Sequence, residues 1–173
     1  TNSRLKKIIK GTLAPRNRNE LSIIGYRNAL TLILDSYDSI NISKNHVLQI
    51  HQTMISPTKL PYAGRFKSTQ NYIVSIDSKG NRTLLFEPLS PFETPIAIED
   101  LFRNFNEAVL HSYADPLILI PYFIHDFLCI HPFDDGNGRM SRLLTTLLLL
   151  QHDFKVAKYI SIERIIEQSK ELY

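Results

Sequence analysis

Cysteine is nearly absent: Cys129 is the one thiol in 173 residues. A lone thiol excludes an intrachain disulfide framework and suits a reducing compartment. Cys129 sits in an apolar run, where a buried structural thiol is expected rather than a nucleophile. No stretch reaches the ~18 consecutive apolar residues of a membrane-spanning helix, and the start carries no apolar signal core. A strong charge of one sign is also missing. The formal net charge is +3, too small to indicate nucleic acid as the main partner. Repeats, low-complexity tracts and linkers are absent as well. What is present is an ordinary globular balance, 43% hydrophobic and 21% charged, on a length that supports one core. The expectation is a single domain over 1–173, cytoplasmic and without a membrane partner. The first residue is not Met and Tyr173 falls within a helical pattern, so the chain reads as a fragment with flanking segments missing.

Hydrophobic periodicity makes the chain mostly helical. Arg4, Lys6, Lys7, Lys10, Arg16 and Arg18 precede the first acid, Glu20. They read as a solvated helix face and loop, because Leu5, Ile8 and Ile9 supply an apolar side; a basic arm for nucleic acid is the other reading. Ile23, Tyr26, Leu30, Ile33, Leu34 and Tyr37 recur at helical spacing. Ser43 is placed to cap the next helix, with Val47, Ile50 and Met54 inward. His46 and His51 on that helix have no neighbouring acid or cysteine set and read as ordinary surface or core histidines. From Gln70 to Glu87 the pattern changes. Tyr72, Val74 and Ile76 alternate with other residues, Ser78-Lys79-Gly80-Asn81 reads as a turn, and Arg82 to Glu87 returns as a second strand. Ile98, Leu101, Phe102, Phe105, Ala108 and Val109 form a further helical stripe. Asp115-Pro116 starts another helix, in which Pro121 predicts a kink or a late start. His125 reads as a core histidine. Phe154 to Ile160 is a short link, and Ser161 to Tyr173 reads as an amphipathic helix.

The chemistry is concentrated in Ile130 to Arg142, IHPFDDGNGRMSR. An apolar segment precedes it and LLTTLLLL follows, apolar on nearly every side as a buried helix is. The polar stretch is therefore a loop mounted between two core elements. Gly136-Asn137-Gly138 stands before the helix, where glycines admit a ligand close to the backbone. The first N–H groups of a helix have no internal partner and lie at its positive end. Together they form an anion cradle suited to phosphate. Arg139 and Arg142 lie on one side of the first helical turns, each able to fork onto phosphoryl oxygens. Asp135 beside such phosphates is a natural Mg²⁺ ligand. His131 has a near-neutral pKa when unperturbed and can take a proton from a hydroxyl. Phe133 is expected to anchor the loop in the core. Cradle, clamp, metal ligand and base specify phosphoryl or nucleotidyl transfer.

This stretch resembles the Fic-domain signature, H-x-F-x-[D/E]-G-N-G-R-x-x-R, at every fixed position from His131 to Arg142. The resemblance implies an all-α fold, a Fic-type helical bundle with a small β-hairpin flap beside the active site. It implies transfer of AMP from ATP to a Ser, Thr or Tyr hydroxyl of a target protein, with Mg²⁺ as cofactor and self-modification among the expected reactions. His131 would be the base and Asp135 the Mg²⁺ ligand. Gly136, Asn137 and Gly138 would bind the α- and β-phosphates, Arg139 the phosphates, and Arg142 the γ-phosphate. Gly138 would favour the donor orientation for AMP transfer. Tyr72, Ile73 and Val74 would belong to the flap, whose edge receives the target by strand addition. Three positions depart from the family pattern: Gly25 for Asn, Lys67 for Arg and Ser141 for Gly. The resemblance also implies an inhibitory helix N-terminal to Thr1.

Other functions remain open at this point. The same fold could remove AMP from modified targets or use another nucleotide donor. A metal phosphohydrolase is suggested by His125-Asp126 and His131, but His46, His51 and His111 lack acidic partners. A nucleotide-binding module without transfer activity would leave His131 unexplained.

Overall fold

The structure, a computed structural model, describes residues 2–77, 79–161, 164, 165 and 168. It contains α1 (Asn2–Ile9), α2 (Arg18–Ser36), α3 (Lys44–Ile55), β1 (Ile73–Ile76), β2 (Arg82–Phe86), α4 (Thr94–Leu110), α5 (Pro116–Ile130) and α6 (Asn137–Gln151). Single 3₁₀ turns follow α3 and α6, at Ser56–Thr58 and Lys155–Lys158. The fold is the expected helical one with a small two-stranded antiparallel sheet.

The centre is α6. Met140, Leu143, Leu144, Leu147, Leu148 and Leu150 are all buried, so the helix has core on most sides, as its all-round apolar sequence requires. It packs against α5 and α2, α5 packs on α4, and α3 lies along α2. The α2–α3 approach is very close at Gly25, where an added Cβ would lie 1.8 Å from the Met54 carbonyl oxygen. Only glycine allows two backbones to meet this way. Asn17 caps α2 by accepting from the Glu20 N–H. The Arg4 guanidinium forks onto the Glu20 carboxylate at 2.7 and 3.0 Å and ties α1 to α2.

The hairpin is where the alternation predicts it, and among the described residues β1 and β2 pair only with each other. Both strands are largely exposed, and a β-bulge falls between Ile73 and Val74.

Four expectations need correction. Helix α5 starts at Pro116, not late, and its helical span continues past Pro121. Pro121 is on the solvent side, where water can satisfy the carbonyl it leaves unpaired. His125 is no core residue: its side chain is 72% exposed and pairs with Asp126 at 3.1 Å. Cys129, one turn further on, is half-buried rather than buried, and desolvation raises its pKa, which disfavours the reactive thiolate. Ser43 occupies the N-cap position of α3, but its hydroxyl bonds to His46 Nδ1 rather than to a free N–H. The amphipathic reading of Ser161 to Tyr173 lies largely outside the described residues.

Candidate active site

The signature loop leaves α5 through a left-handed residue. His131 has φ 52 and ψ 60 and closes the helix by donating its backbone N–H to the Phe127 carbonyl. A non-glycine residue there is uncommon and persists only if its surroundings hold it. The His131 side chain is oriented by Nδ1, 3.2 Å from the Leu128 carbonyl. A carbonyl can only accept, so Nδ1 carries the proton and Nε2 keeps its lone pair. Burial lowers the His131 pKa, the Leu128 bond opposes this, and the charge of Lys67 adds to the lowering. The imidazole is therefore neutral at neutral pH and presents a basic nitrogen.

Phe133 pins the loop into the core. It is fully buried and stacks on His51 with ring centroids 3.8 Å apart and planes 5° from parallel. The Asn137 amide closes the loop from inside, accepting from the Phe133 N–H at 2.9 Å and donating to its carbonyl at 2.7 Å. That side chain is committed to loop backbone, so Asn137 offers an anion its main-chain N–H. His51 is also fully buried. Its Nδ1 accepts from the Gly64 N–H at 3.1 Å, which fixes the proton on Nε2, and Nε2 donates to the Asp135 carbonyl at 3.0 Å. Desolvation drives the His51 pKa down to about 4. The sequence expectation for His51, an ordinary surface or core histidine, is met in its burial but does not include its bonds to the loop. The signal His51 carried was its place on the apolar face of α3, one turn from Val47 and near Ile50 and Met54.

Gly136 begins α6 with φ 92, and a Cβ there would lie 2.7 Å from the Met54 methyl. At Gly138 a Cβ would meet only Arg142 Nη1, at 3.6 Å, so the first turn is open above its unpaired N–H groups. Ser141, in place of the family glycine, turns its hydroxyl back onto the Gly138 carbonyl at 2.9 Å and leaves the cradle clear. The Asp135 carboxylate receives Arg139 at 3.0 Å on one oxygen. The other oxygen lies 3.5 Å from both Arg18 and the Tyr62 hydroxyl. Arg18 and Tyr62 come from α2 and the segment after α3, and nothing in the sequence marks them as neighbours of the loop.

Asp135 is partly exposed at the mouth of the cradle, and among the described residues no three His, Cys, Asp or Glu side chains cluster to hold a metal. One carboxylate beside an anion site fits Mg²⁺, which completes its shell with phosphate oxygens and water. It does not fit the closed protein ligand sets of zinc. The hairpin is fastened to the same loop. Asn71, just before it, donates to the carbonyls of His131 and Phe133 at 3.3 and 3.1 Å. Tyr72 and Val74 are exposed and Ile73 half-buried. Among the described residues no helix is long and apolar enough to cross a membrane.

The family model described as Fic/DOC matches residues 41–149, from the start of α3 through nearly all of α6. The chain belongs to the Fic/DOC family. The matched region includes the whole Fic signature, from His131 to Arg142. A protein adenylyltransferase fic-1 of Caenorhabditis elegans is 28% identical over 144 residues, 80% of this chain and 25% of that protein. A Fido domain-containing protein of Dictyostelium discoideum is 36% identical over 76 residues, 42% of this chain and 53% of that protein. The chain thus spans between a quarter and about half of these curated relatives. Among solved structures, a Fic family protein of Desulfovibrio desulfuricans superposes with a TM-score of 0.75 at 21% identity, over 99% of this chain and 49% of its own. A Fic domain-containing signaling protein of Bacteroides thetaiotaomicron gives 0.72 at 22% identity, over 88% and 57%. These structures establish the Fic fold.

Proposed function

We propose that this domain transfers AMP from ATP to a hydroxyl side chain of a protein. The observation that carries the reading is the proton placement on His131: Nδ1–H is spent on Leu128, which leaves the lone pair on Nε2, at the head of the loop that leads into α6. The names of the adenylyltransferase relatives support the same reaction.

In this reading the triphosphate lies against the first N–H groups of α6, with Arg139 and Arg142 on its outer oxygens. The target hydroxyl gives its proton to His131 Nε2 as its oxygen bonds to the α-phosphorus. The bond from that phosphorus to the oxygen bridging to the β-phosphate breaks, and pyrophosphate leaves. Asp135 would hold Mg²⁺, which neutralises phosphate charge. Arg139 pairs with Asp135, so a cation held there would share that carboxylate with a guanidinium. The open edge of the hairpin takes an extended target segment as an added strand. Asn71 keeps that hairpin in one frame with the base.

The test is label transfer with magnesium in a cell lysate. Protein should take label from α-labelled ATP and not from γ-labelled ATP, with release of pyrophosphate. Transfer from the γ position alone would replace nucleotidyl by phosphoryl transfer, and no transfer from either would remove the transferase reading.

A further inference from the structure

Lys67 is a lysine with almost no contact with water. It is 3% exposed, in the loop between α3 and the hairpin. Its backbone N–H donates to the Pro132 carbonyl at 2.8 Å, a bond most residues would make there. The side chain does something further. Nζ donates to the Ile130 carbonyl at 3.1 Å and to Asn71 Oδ1 at 2.9 Å. Burying an ammonium costs several kcal/mol unless its bonds repay it, and desolvation indeed lowers the Lys67 pKa against the pull of Asp134. Ile130 is the last residue of α5, where unpaired carbonyls and the helix dipole favour a cation.

The ammonium also decides which way Asn71 faces. An ammonium only donates, so the Asn71 oxygen must point at Lys67. Its NH₂ group is thereby aimed at the signature loop, where it donates to the carbonyls of both His131 and Phe133. The Lys67 bond to the Ile130 carbonyl and the Asn71 bond to the His131 carbonyl thus fix the peptide units on both sides of a histidine held at φ 52.

We propose that Lys67 and Asn71 are positioning residues for the base: the buried ammonium sets the Asn71 amide, and the amide holds His131 in its left-handed conformation with Nε2 facing the cradle. The inference rests on His131 being the base. Because Asn71 adjoins the hairpin, the clamp also ties the target-binding strand to the base, so hydroxyl and imidazole share one frame. On the imidazole itself the influences are burial, the Leu128 carbonyl of α5 and the charge of Lys67. Lys67 therefore has a second effect, which is to keep the base neutral.

Three variants test this: Lys67→Met, Lys67→Arg and Asn71→Asp. The last keeps the size and the bond from Lys67 but removes both donors. Each is compared with the parent by circular dichroism, by calorimetric ATP binding, by the pH profile of AMP transfer, and by NMR titration of the His131 imidazole, assigned with His131→Ala. Lys67→Met and Asn71→Asp should lower kcat by about 10- to 100-fold, the scale of a small misplacement of a reacting group, with ATP affinity retained. Both should move the His131 midpoint upward, and Lys67→Arg should restore the parental midpoint. Folded variants with parental kcat and midpoint would overturn the clamp. If Lys67→Met does not fold, Asn71→Asp alone decides, by the same criteria. If the parent transfers no AMP, the functional reading fails, while a His131 Cα resonance that leaves its left-handed position in Asn71→Asp still supports the clamp and an unchanged one overturns it.

Discussion

His51 is buried and His131 half-buried, both with pKa values lowered by desolvation, yet their hydrogen bonds give them different work. His131 spends one nitrogen on a carbonyl, and the proposed transfer uses the other as the base. Its replacement by Ala should leave ATP binding nearly intact and lower transfer by at least about 10²-fold, the loss expected for a general base; calorimetry and label transfer on the same sample measure the two. Asp135→Ala should instead weaken the magnesium-dependent part of ATP binding, read as the difference between titrations with Mg²⁺ and with EDTA. His51 uses both nitrogens structurally, which predicts an acid weakness. Its native pKa of about 4 lies below the ordinary value of 6.5. Above pH 6.5 neither state binds the proton. Between 6.5 and 4 the unfolded chain takes it and the native state does not, so stability falls with pH by up to about 3 kcal/mol. Denaturant midpoints from pH 7.5 to 4.5 should show the fall, and His51→Asn, folded at pH 7.5, should flatten it. The chemical identity of the loop residues was legible because each type has few other uses in such density. The parts of Arg18, Tyr62, Lys67 and Asn71 were not, because a side chain far away in sequence announces nothing about the carbonyl or carboxylate it will meet.

Among the elements, α3 links stability to the site. Gly25 lets α3 approach α2, and α3 presents His51 to Phe133 and Asp135 and Met54 to Gly136. Gly25→Ala would place a methyl 1.8 Å from the Met54 carbonyl, so the two helices must part. A loss of about 3 kcal/mol or more is expected, the upper end of overpacking costs, seen as a lower thermal midpoint. The shift should reach the loop through Met54 and weaken ATP binding as well. Gly138→Ala should leave the thermal midpoint nearly unchanged, since a Cβ there meets only Arg142 Nη1 at van der Waals distance. Helix positions and the hairpin were legible because apolar residues recur with the periods of each element. The helical span of α5 past Pro121, the exposed His125 and the half-buried Cys129 were not. Each depends on which side of the helix finds a neighbour.

At the scale of the molecule, the helical core and the hairpin divide the work. The core strips water from Phe133, His51 and Lys67 and fixes the loop between α5 and α6. The hairpin contributes exposed strands and little core. Replacing residues 73–86 by a short Gly-Ser linker should therefore leave the thermal midpoint and ATP binding close to the parent, while transfer to protein targets falls sharply. Equal transfer would place target recognition elsewhere. By itself the sequence determined the helical class, the hairpin and the identity of the signature residues, because periodicity and residue chemistry are local properties. Only the tertiary structure decided which nitrogen of His131 donates to Leu128, that the Asn137 amide faces inward onto the loop, and that Lys67 and Asn71 bond to the backbone on either side of His131. Those outcomes depend on which donors and acceptors meet once water is excluded, and the chain makes those meetings between residues as far apart as Lys67 and Ile130 or His51 and Asp135.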